Sequence, residues 1–154
     1  MKEVKLSIDS REVTVPQNST ILMAAAQIGI KIPTLCHFKE LTSSSACRIC
    51  LVEVEGARSL VTACSYPVTV GIKVKTVTER VLNARRLVME LILSDHPLDC
   101  MTCEKAGKCS LQDLAYEMGL NGSRFTGQRH DYSIDLSNPF IVRDYNKCVL
   151  CERC

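Results

Sequence analysis

Ten cysteines in 154 residues constrain this chain more than any other feature. They are bunched, with Cys47 and Cys50, Cys100 and Cys103, and Cys148, Cys151 and Cys154 all at C-x2-C spacing. Cysteines in such numbers serve as disulfides, zinc ligands or iron–sulfur ligands. Disulfides concentrate in small secreted chains that lack a core. Here the opening, MKEVKLSIDSREV, alternates charge and has none of the apolar stretch of a signal peptide. An apolar content of 46% is enough for a core, and thiols at C-x2-C spacing suit a shared metal centre better than bridges between distant segments. A net charge of +2 leaves no electrostatic footprint for nucleic acid or a membrane surface. No apolar run approaches the length that crosses a bilayer. A cytoplasmic location is the default expectation.

The spacing of apolar residues divides the chain. Val4, Leu6 and Ile8 alternate with polar residues, Asp9, Ser10 and Arg11 supply a turn, and Val13 and Val15 resume the alternation, which predicts a β-hairpin ended by Pro16. Ser19 or Thr20 caps a helix with Ile21, Ala24, Ala25 and Ile28 on its apolar face, and Gly29 stops it. A loop with three cysteines covers 34–50, and strands follow in LVEVEG (51–56), RSLVTAC (58–64) and GIKVKTV (71–77). One helix on a small mixed sheet around a cysteine-bearing loop is a β-grasp layout, an α+β fold. Beyond 77 the period becomes helical. Apolar residues at 81, 84, 88, 91 and 92 predict a helix over 78–95 with Thr78 as cap. A second helix over LQDLAYEMG is capped by Ser110, with Asp113 as capping-box partner and Gly119 as stop. Residues 121–147 show no period and read as an extended connector, with Asp131, Asp135 and Asp144 as turn and capping residues.

The cysteines fall into three sets on this framework. Cys36, Cys47, Cys50 and Cys64 give C-x10-C-x2-C-x13-C, the one-pair-plus-distant-partner arrangement of [2Fe–2S] loops. Structural zinc is the alternative, although zinc knuckles usually come as two C-x2-C pairs. Thr42, Ser43, Ser44, Ser45 and Arg48 are candidate donors toward these sulfurs. His96, Cys100, Cys103 and Cys109 give H-x3-C-x2-C-x5-C, three thiolates and an imidazole for a [4Fe–4S] cluster or a zinc ion. His37 and His130 are read as non-ligands, because the cysteine sets close without them. Cys148, Cys151 and Cys154 repeat the x2 run of bacterial ferredoxins without its fourth cysteine and proline.

The run Cys36-x10-Cys47-Arg-Ile-Cys50-Leu-Val-Glu-Val, then Cys64, then His96-Pro-Leu-Asp-Cys100-x2-Cys103-Glu-Lys-Ala-Gly-Lys-Cys109-x-Leu-Gln resembles the iron–sulfur N-terminal region shared by several oxidoreductases. These are the large iron–sulfur subunit of NADH-quinone oxidoreductase (complex I), [FeFe]-hydrogenases and NAD-linked formate dehydrogenases. The resemblance implies three parts: a plant-type ferredoxin-like [2Fe–2S] domain (1–77), a small helical segment holding a [4Fe–4S] cluster on His96 and three cysteines (78–120), and a connector with a truncated start of a bacterial-type ferredoxin domain (121–154). The middle segment and the connector look most like a formate dehydrogenase alpha subunit. That branch implies a molybdenum or tungsten pterin cofactor downstream, outside this sequence. Two positions depart from the family pattern: Ser45 and Glu152 stand where glycine is common.

The implied function is electron transfer within an oxidoreductase, with no catalytic centre in these residues. The implied partners are a flavin or iron–sulfur NAD(P)-reactive subunit, or a ferredoxin, together with the rest of the catalytic subunit. A zinc-stabilised interaction module is the reading from another class. Cys148, Cys151 and Cys154 are expected to be empty or incompletely ligated here, because the fourth ligand of their cluster comes from a further cysteine run.

Overall fold

Residues 2–153, which the computed structural model describes, begin with the alternation read above. β1 (Glu3–Ile8) and β2 (Arg11–Pro16) pair antiparallel, with Glu3 opposite Pro16 and Ile8 opposite Arg11. The turn is two residues, not three. Asp9 and Ser10 have φ of +46° and +68°, the paired left-handed positions of a type I′ turn, and Arg11 already pairs in the ladder. The Asp9 carboxylate accepts hydrogen bonds from the Thr76 backbone N–H and hydroxyl, which ties the turn to a distant segment.

α1 (Ile21–Gln27) starts where its cap is satisfied: Thr20 Oγ1 accepts from the Met23 N–H at 3.3 Å, a bond worth about 1 kcal/mol. Ile21, Ala24 and Ala25 are buried on its inner face, and Gly29 follows at φ +74°. β3 (Leu51–Val54), β4 (Val61–Thr62) and β5 (Lys73–Lys75) complete a five-stranded sheet of order β2-β1-β5-β3-β4. β1 and β5 run parallel, and the other pairs are antiparallel. Ile8, Ile21 and Val52 are fully enclosed among the inward residues of these elements, each contributing about 1.5–3 kcal/mol by leaving water. The α+β architecture is the expected one.

α2 (Glu79–Asp95) begins behind Thr78, whose Oγ1 accepts from the Val81 N–H at 3.3 Å and donates to Glu53 Oε2 at 2.8 Å. Its deeply buried row is Val81, Arg85, Met89 and Leu93, joined by Glu90; of the other apolar positions read from the sequence, Ala84, Val88 and Ile92 are half-buried and Leu91 is exposed. The helix turns an i, i+4 row inward, and that row contains an arginine because Arg85 finds acceptors there. α3 (Ser110–Glu117) starts one residue earlier than expected. Cys109 occupies the N-cap position, without a side-chain capping bond, and Ser110 lies inside the first turn. The predicted capping box is therefore absent, and Gln112 Oε1 accepts from the Gly107 N–H at 3.1 Å. Gly119, at φ +66°, follows the helix end.

The connector is less featureless than its sequence. Asp135 and Arg143 form a β-bridge with reciprocal backbone bonds of 2.9 and 3.1 Å, and a single 3-10 turn covers Tyr145–Lys147. Asp135 accepts from the Ser137 N–H and Asp144 from the Asn146 N–H, the turn and cap roles expected of them. The described residues divide into two compact units. One reaches Arg85, with Glu152 grouped with it, and the other is Arg86–Cys151. No helix among the described residues is long and apolar enough to cross a membrane.

Candidate metal centre

The first cysteine set lies at the junction of three loops. Cys36 follows α1, Cys47 and Cys50 precede β3, and Cys64 follows β4. Backbone bonds fix these loops to one another. The Ala63 N–H donates to the Cys50 carbonyl at 3.0 Å. The first N–H groups of α1, which have no partner within the helix, donate outward: Ile21 to Tyr66 O at 3.1 Å and Leu22 to Ala63 O at 2.9 Å. The helix start thus holds the segment that carries Cys64.

All four thiols are buried, none more than 7% exposed. They meet in pairs, Cys36 with Cys47 and Cys50 with Cys64, each pair hydrogen-bonded through the sulfurs. The Cys50 thiol is pushed up by its bond to Cys64 and by burial, and Cys64 is lowered by the same bond. Burial raises Cys47, while the backbone N–H groups of Ile49, Cys36 and Leu35 pull the other way by pointing at its sulfur. Ser45 Oγ lies 3.4 Å from Cys64 Sγ and continues into Ser65 Oγ at 2.7 Å and Thr62 Oγ1 at 2.9 Å beyond it. Of the donor candidates in the loop, Ser45 reaches a sulfur, whereas Ser43 instead bonds His37 Nδ1 at 3.1 Å. Ser45 also has φ +58°, which explains why a glycine is at home at this position.

Arg85 was invisible to the sequence reading. Its Nε and Nη2 both donate to the Leu51 carbonyl, at 2.9 and 2.7 Å, one residue beyond Cys50. The signal was its place four residues after Val81, on the i, i+4 row of α2.

The second set is built differently. Cys100, Cys103 and Cys109 are partly exposed and lie on successive turns, with Thr102 N–H donating to Asp99 O at 2.9 Å and Ala106 N–H to Cys103 O at 3.0 Å. Polar side chains flank it. Asp95, next to His96, accepts from the His130 backbone N–H at 2.9 Å and pairs with His130 Nδ1 at 2.7 Å. Lys147 lies 3.2 Å from Asp99 and 3.8 Å from Asp144. The His130 bonds hold the Asp95 carboxyl below its usual range. No bond joins His96 to the three cysteines among the described residues. In the third set Cys148 is exposed and Cys151 half-buried, while Cys154 lies outside the described residues. Leu150 and Glu152 both have positive φ, so Glu152, like Ser45, occupies a backbone position that favours glycine.

No three His, Cys, Asp or Glu side chains gather as a single-ion site among the described residues. The first set nevertheless fits a [2Fe–2S] cluster in its donor chemistry. It offers four buried sulfurs in two pairs, with backbone N–H groups directed at Cys47, Cys50 and Cys64.

Comparison with known proteins agrees with that chemistry. Residues 1–79 match the 2Fe-2S iron-sulfur cluster binding domain family, and residues 85–124 match the NADH-ubiquinone oxidoreductase-G iron-sulfur binding region. The chain is 47% identical to the NADP-reducing hydrogenase subunit HndD of Solidesulfovibrio fructosivorans, over 100% of this chain and 27% of that protein. It is 40% identical to an NADH-quinone oxidoreductase subunit of Rhizobium meliloti, over 98% of this chain and 18% of that one. A solved NAD+-reducing [NiFe]-hydrogenase in the H2-reduced state superposes with a TM-score of 0.91 at 32% identity, covering 98% of this chain and 64% of that chain. The chain therefore spans about a quarter or less of the length of these curated relatives.

Proposed function

Because this chain belongs to the family of iron–sulfur binding regions shared by NADH-quinone oxidoreductases and NAD(P)-linked hydrogenases, we propose that it is an electron-transfer module of an NAD(P)-linked oxidoreductase. The observation that carries this reading is the set of four buried thiols, three of them with backbone N–H groups directed at them. Cys36, Cys47, Cys50 and Cys64 are the proposed ligands of a [2Fe–2S] cluster, and His96, Cys100, Cys103 and Cys109 those of a [4Fe–4S] cluster. Cys148, Cys151 and Cys154 are proposed as part of a further [4Fe–4S] set completed elsewhere. When bound, such clusters supply reversible one-electron chemistry. The chain's own work is to bury the sulfurs, aim N–H donors at them and exclude water, which together set the potential.

On this reading 1–77 is the [2Fe–2S] module, 78–120 the His-and-cysteine segment and 121–154 the connector leading to the third set. The partners are a flavin or iron–sulfur NAD(P)-reactive subunit, or a ferredoxin, and the catalytic part of the same enzyme. For the parent activity, the resemblance of the segments HPLDCMTCEKAGKCSLQDLAYEMG and SRFTGQRHDYSIDLSNPFIVRDYNKCVLC to a formate dehydrogenase alpha subunit favours formate oxidation or carbon dioxide reduction at a pterin metal centre. The 47% identity to a hydrogenase subunit over the whole chain favours hydrogen as the alternative substrate. Viologen reduction by the full-length enzyme with formate, and separately with hydrogen, distinguishes the two. The module itself is tested by purification without oxygen, followed by iron, sulfide and zinc analysis and EPR of the reduced protein. Two kinds of reducible iron–sulfur signal are expected. Stoichiometric zinc with no iron would sink the proposal in favour of a zinc-stabilised interaction module.

A further inference from the structure

Among the described residues Arg85 is the only buried cation. Its guanidinium is spent on a neutral group, with Nε and Nη2 donating to the single carbonyl of Leu51 at 2.9 and 2.7 Å. The reason this carbonyl needs a donor is in the sheet. β3 and β5 pair Glu53 with Lys75 and Val54 with Val74, so the same register places Leu51 opposite Val77, beyond the last residue of β5. The carbonyl has lost its strand partner on that side, and the side chain supplies the missing hydrogen bonds.

A hydrogen bond alone does not require a charge. An amide would satisfy a carbonyl, and burying a cation without a counter-charge is costly. No carboxylate forms an ion pair with Arg85 among the described residues. Burial lowers the proton affinity of its guanidinium, and the groups acting in the opposite sense are Cys50 and then Asp9. Asp9 is already committed to the Thr76 N–H and hydroxyl. What the geometry leaves next to the guanidinium is Cys50, whose backbone leads directly into the carbonyl that Arg85 grips and whose sulfur carries negative charge when it ligates a cluster.

We propose that Arg85 is a positioning residue for the first cluster: it fixes the Cys50–Leu51 backbone and places a permanent positive charge on the carbonyl one residue from the ligand Cys50, so that the reduced state is favoured. This rests on the [2Fe–2S] reading given above. Reduction brings in one electron from an external one-electron donor. No bond to the protein forms or breaks, and the negative charge of the site grows by one. A fixed cation alongside stabilises that added charge and raises the potential. Helix α2 thereby does more than connect: its buried row carries the counter-charge for the preceding site.

The test separates charge from hydrogen bonding. In the full chain, loaded with iron and sulfide without oxygen, Arg85→Gln keeps a donor for Leu51 and removes the charge, whereas Arg85→Lys keeps both a donor and the charge. Potentiometric titration of the [2Fe–2S] EPR signal should show Arg85→Gln with about a tenfold smaller equilibrium constant for reduction, about 59 mV lower for one electron, and Arg85→Lys within about threefold of the parent. Equal potentials for the two variants overturn the inference. A parent chain that binds no iron overturns the cluster reading instead, so the two failures are distinguishable. If Arg85→Gln does not fold, the loaded parent still decides. Its Arg85 Nε–H should exchange slowly with solvent and its resonance should move between the oxidised and reduced states. Fast exchange with an unmoved resonance overturns the proposal.

Discussion

The first two cysteine sets occupy opposite extremes of local order. Around Cys36, Cys47, Cys50 and Cys64 the chain supplies a sheet, a capped helix, backbone N–H donors, a line of hydroxyls and a buried guanidinium. Around His96, Cys100, Cys103 and Cys109 it supplies consecutive turns, a cysteine at a helix N-cap without a capping bond, and ion pairs between exposed side chains. Exposed pairs contribute little, because water and salt screen them and two side chains must be ordered to form them. The difference teaches that the first set is organised by sheet and helix packing, while the second rests on turns and exposed side-chain pairs. Metal binding and local folding are coupled most tightly where a preformed site is lacking.

Two substitutions would break this comparison most visibly. Cys47→Ser should abolish the [2Fe–2S] EPR signal and loosen 34–50, while far-ultraviolet circular dichroism keeps the sheet, whose core is made by Ile8, Ile21 and Val52. A variant with a full and unshifted signal would show that Cys47 is not a ligand. His96→Ala should change or remove the [4Fe–4S] signal, leave the [2Fe–2S] signal unchanged, and speed amide exchange across 100–109. Unaltered exchange there, with the [4Fe–4S] signal gone, would mean that the turns hold themselves and that the contrast between the sites is wrong.

How much of this was legible depended on the range of the interaction that decided each feature. The hairpin was readable because Val4, Leu6 and Ile8 alternate locally, and α1 because Thr20, its apolar face and Gly29 lie within one short window. Spacing grouped the cysteines into three sets, but nothing in spacing shows how the first four pair. Arg85 was not readable. A charged residue on an amphipathic helix belongs by default on the solvent side, and the acceptor that reverses this lies 34 residues away. Cys109 was missed as an N-cap because Ser110 beside it is the better capping residue. The left-handed backbone at Ser45 and Glu152 left a trace only through the glycine preference of the family. The Asp135–Arg143 bridge is too short to impose a period on the connector.

A smaller effect tests whether the first site is really supported from below. Ile21 is fully enclosed, and its backbone N–H bonds to Tyr66 beyond Cys64. Ile21→Ala keeps that bond and removes the packing, so it should cost about 2–5 kcal/mol in urea unfolding of the iron-loaded chain. The [2Fe–2S] signal should disappear at the same lowered urea concentration at which the sheet unfolds. Loss of the cluster well before the sheet would show that the site has its own weaker stability and is not organised by the core.

The mildest prediction concerns the second unit, where buried charge is rare. Glu90 on α2 has a side chain only 6% exposed, and its Oε2 lies 3.0 Å from Arg124 Nε. The same oxygen lacks a partner in hydrogen-bond geometry, so the link is an ion pair without a well-directed bond. Arg124 is mostly exposed and lies over the Phe125 ring at 5.4 Å. Intuition would assign the larger penalty to the buried member, but desolvation reverses the order. Glu90→Gln removes a charge that was costly to bury and leaves Arg124 to water, so it should cost under about 1 kcal/mol. Arg124→Ala leaves a buried carboxylate with no cation and should cost about 1–3 kcal/mol. Urea midpoints of the two variants measure the asymmetry. If the glutamate variant proved the less stable, Glu90 would owe its place to packing within α2 and not to Arg124, and this part of the second unit would be organised as the first site is.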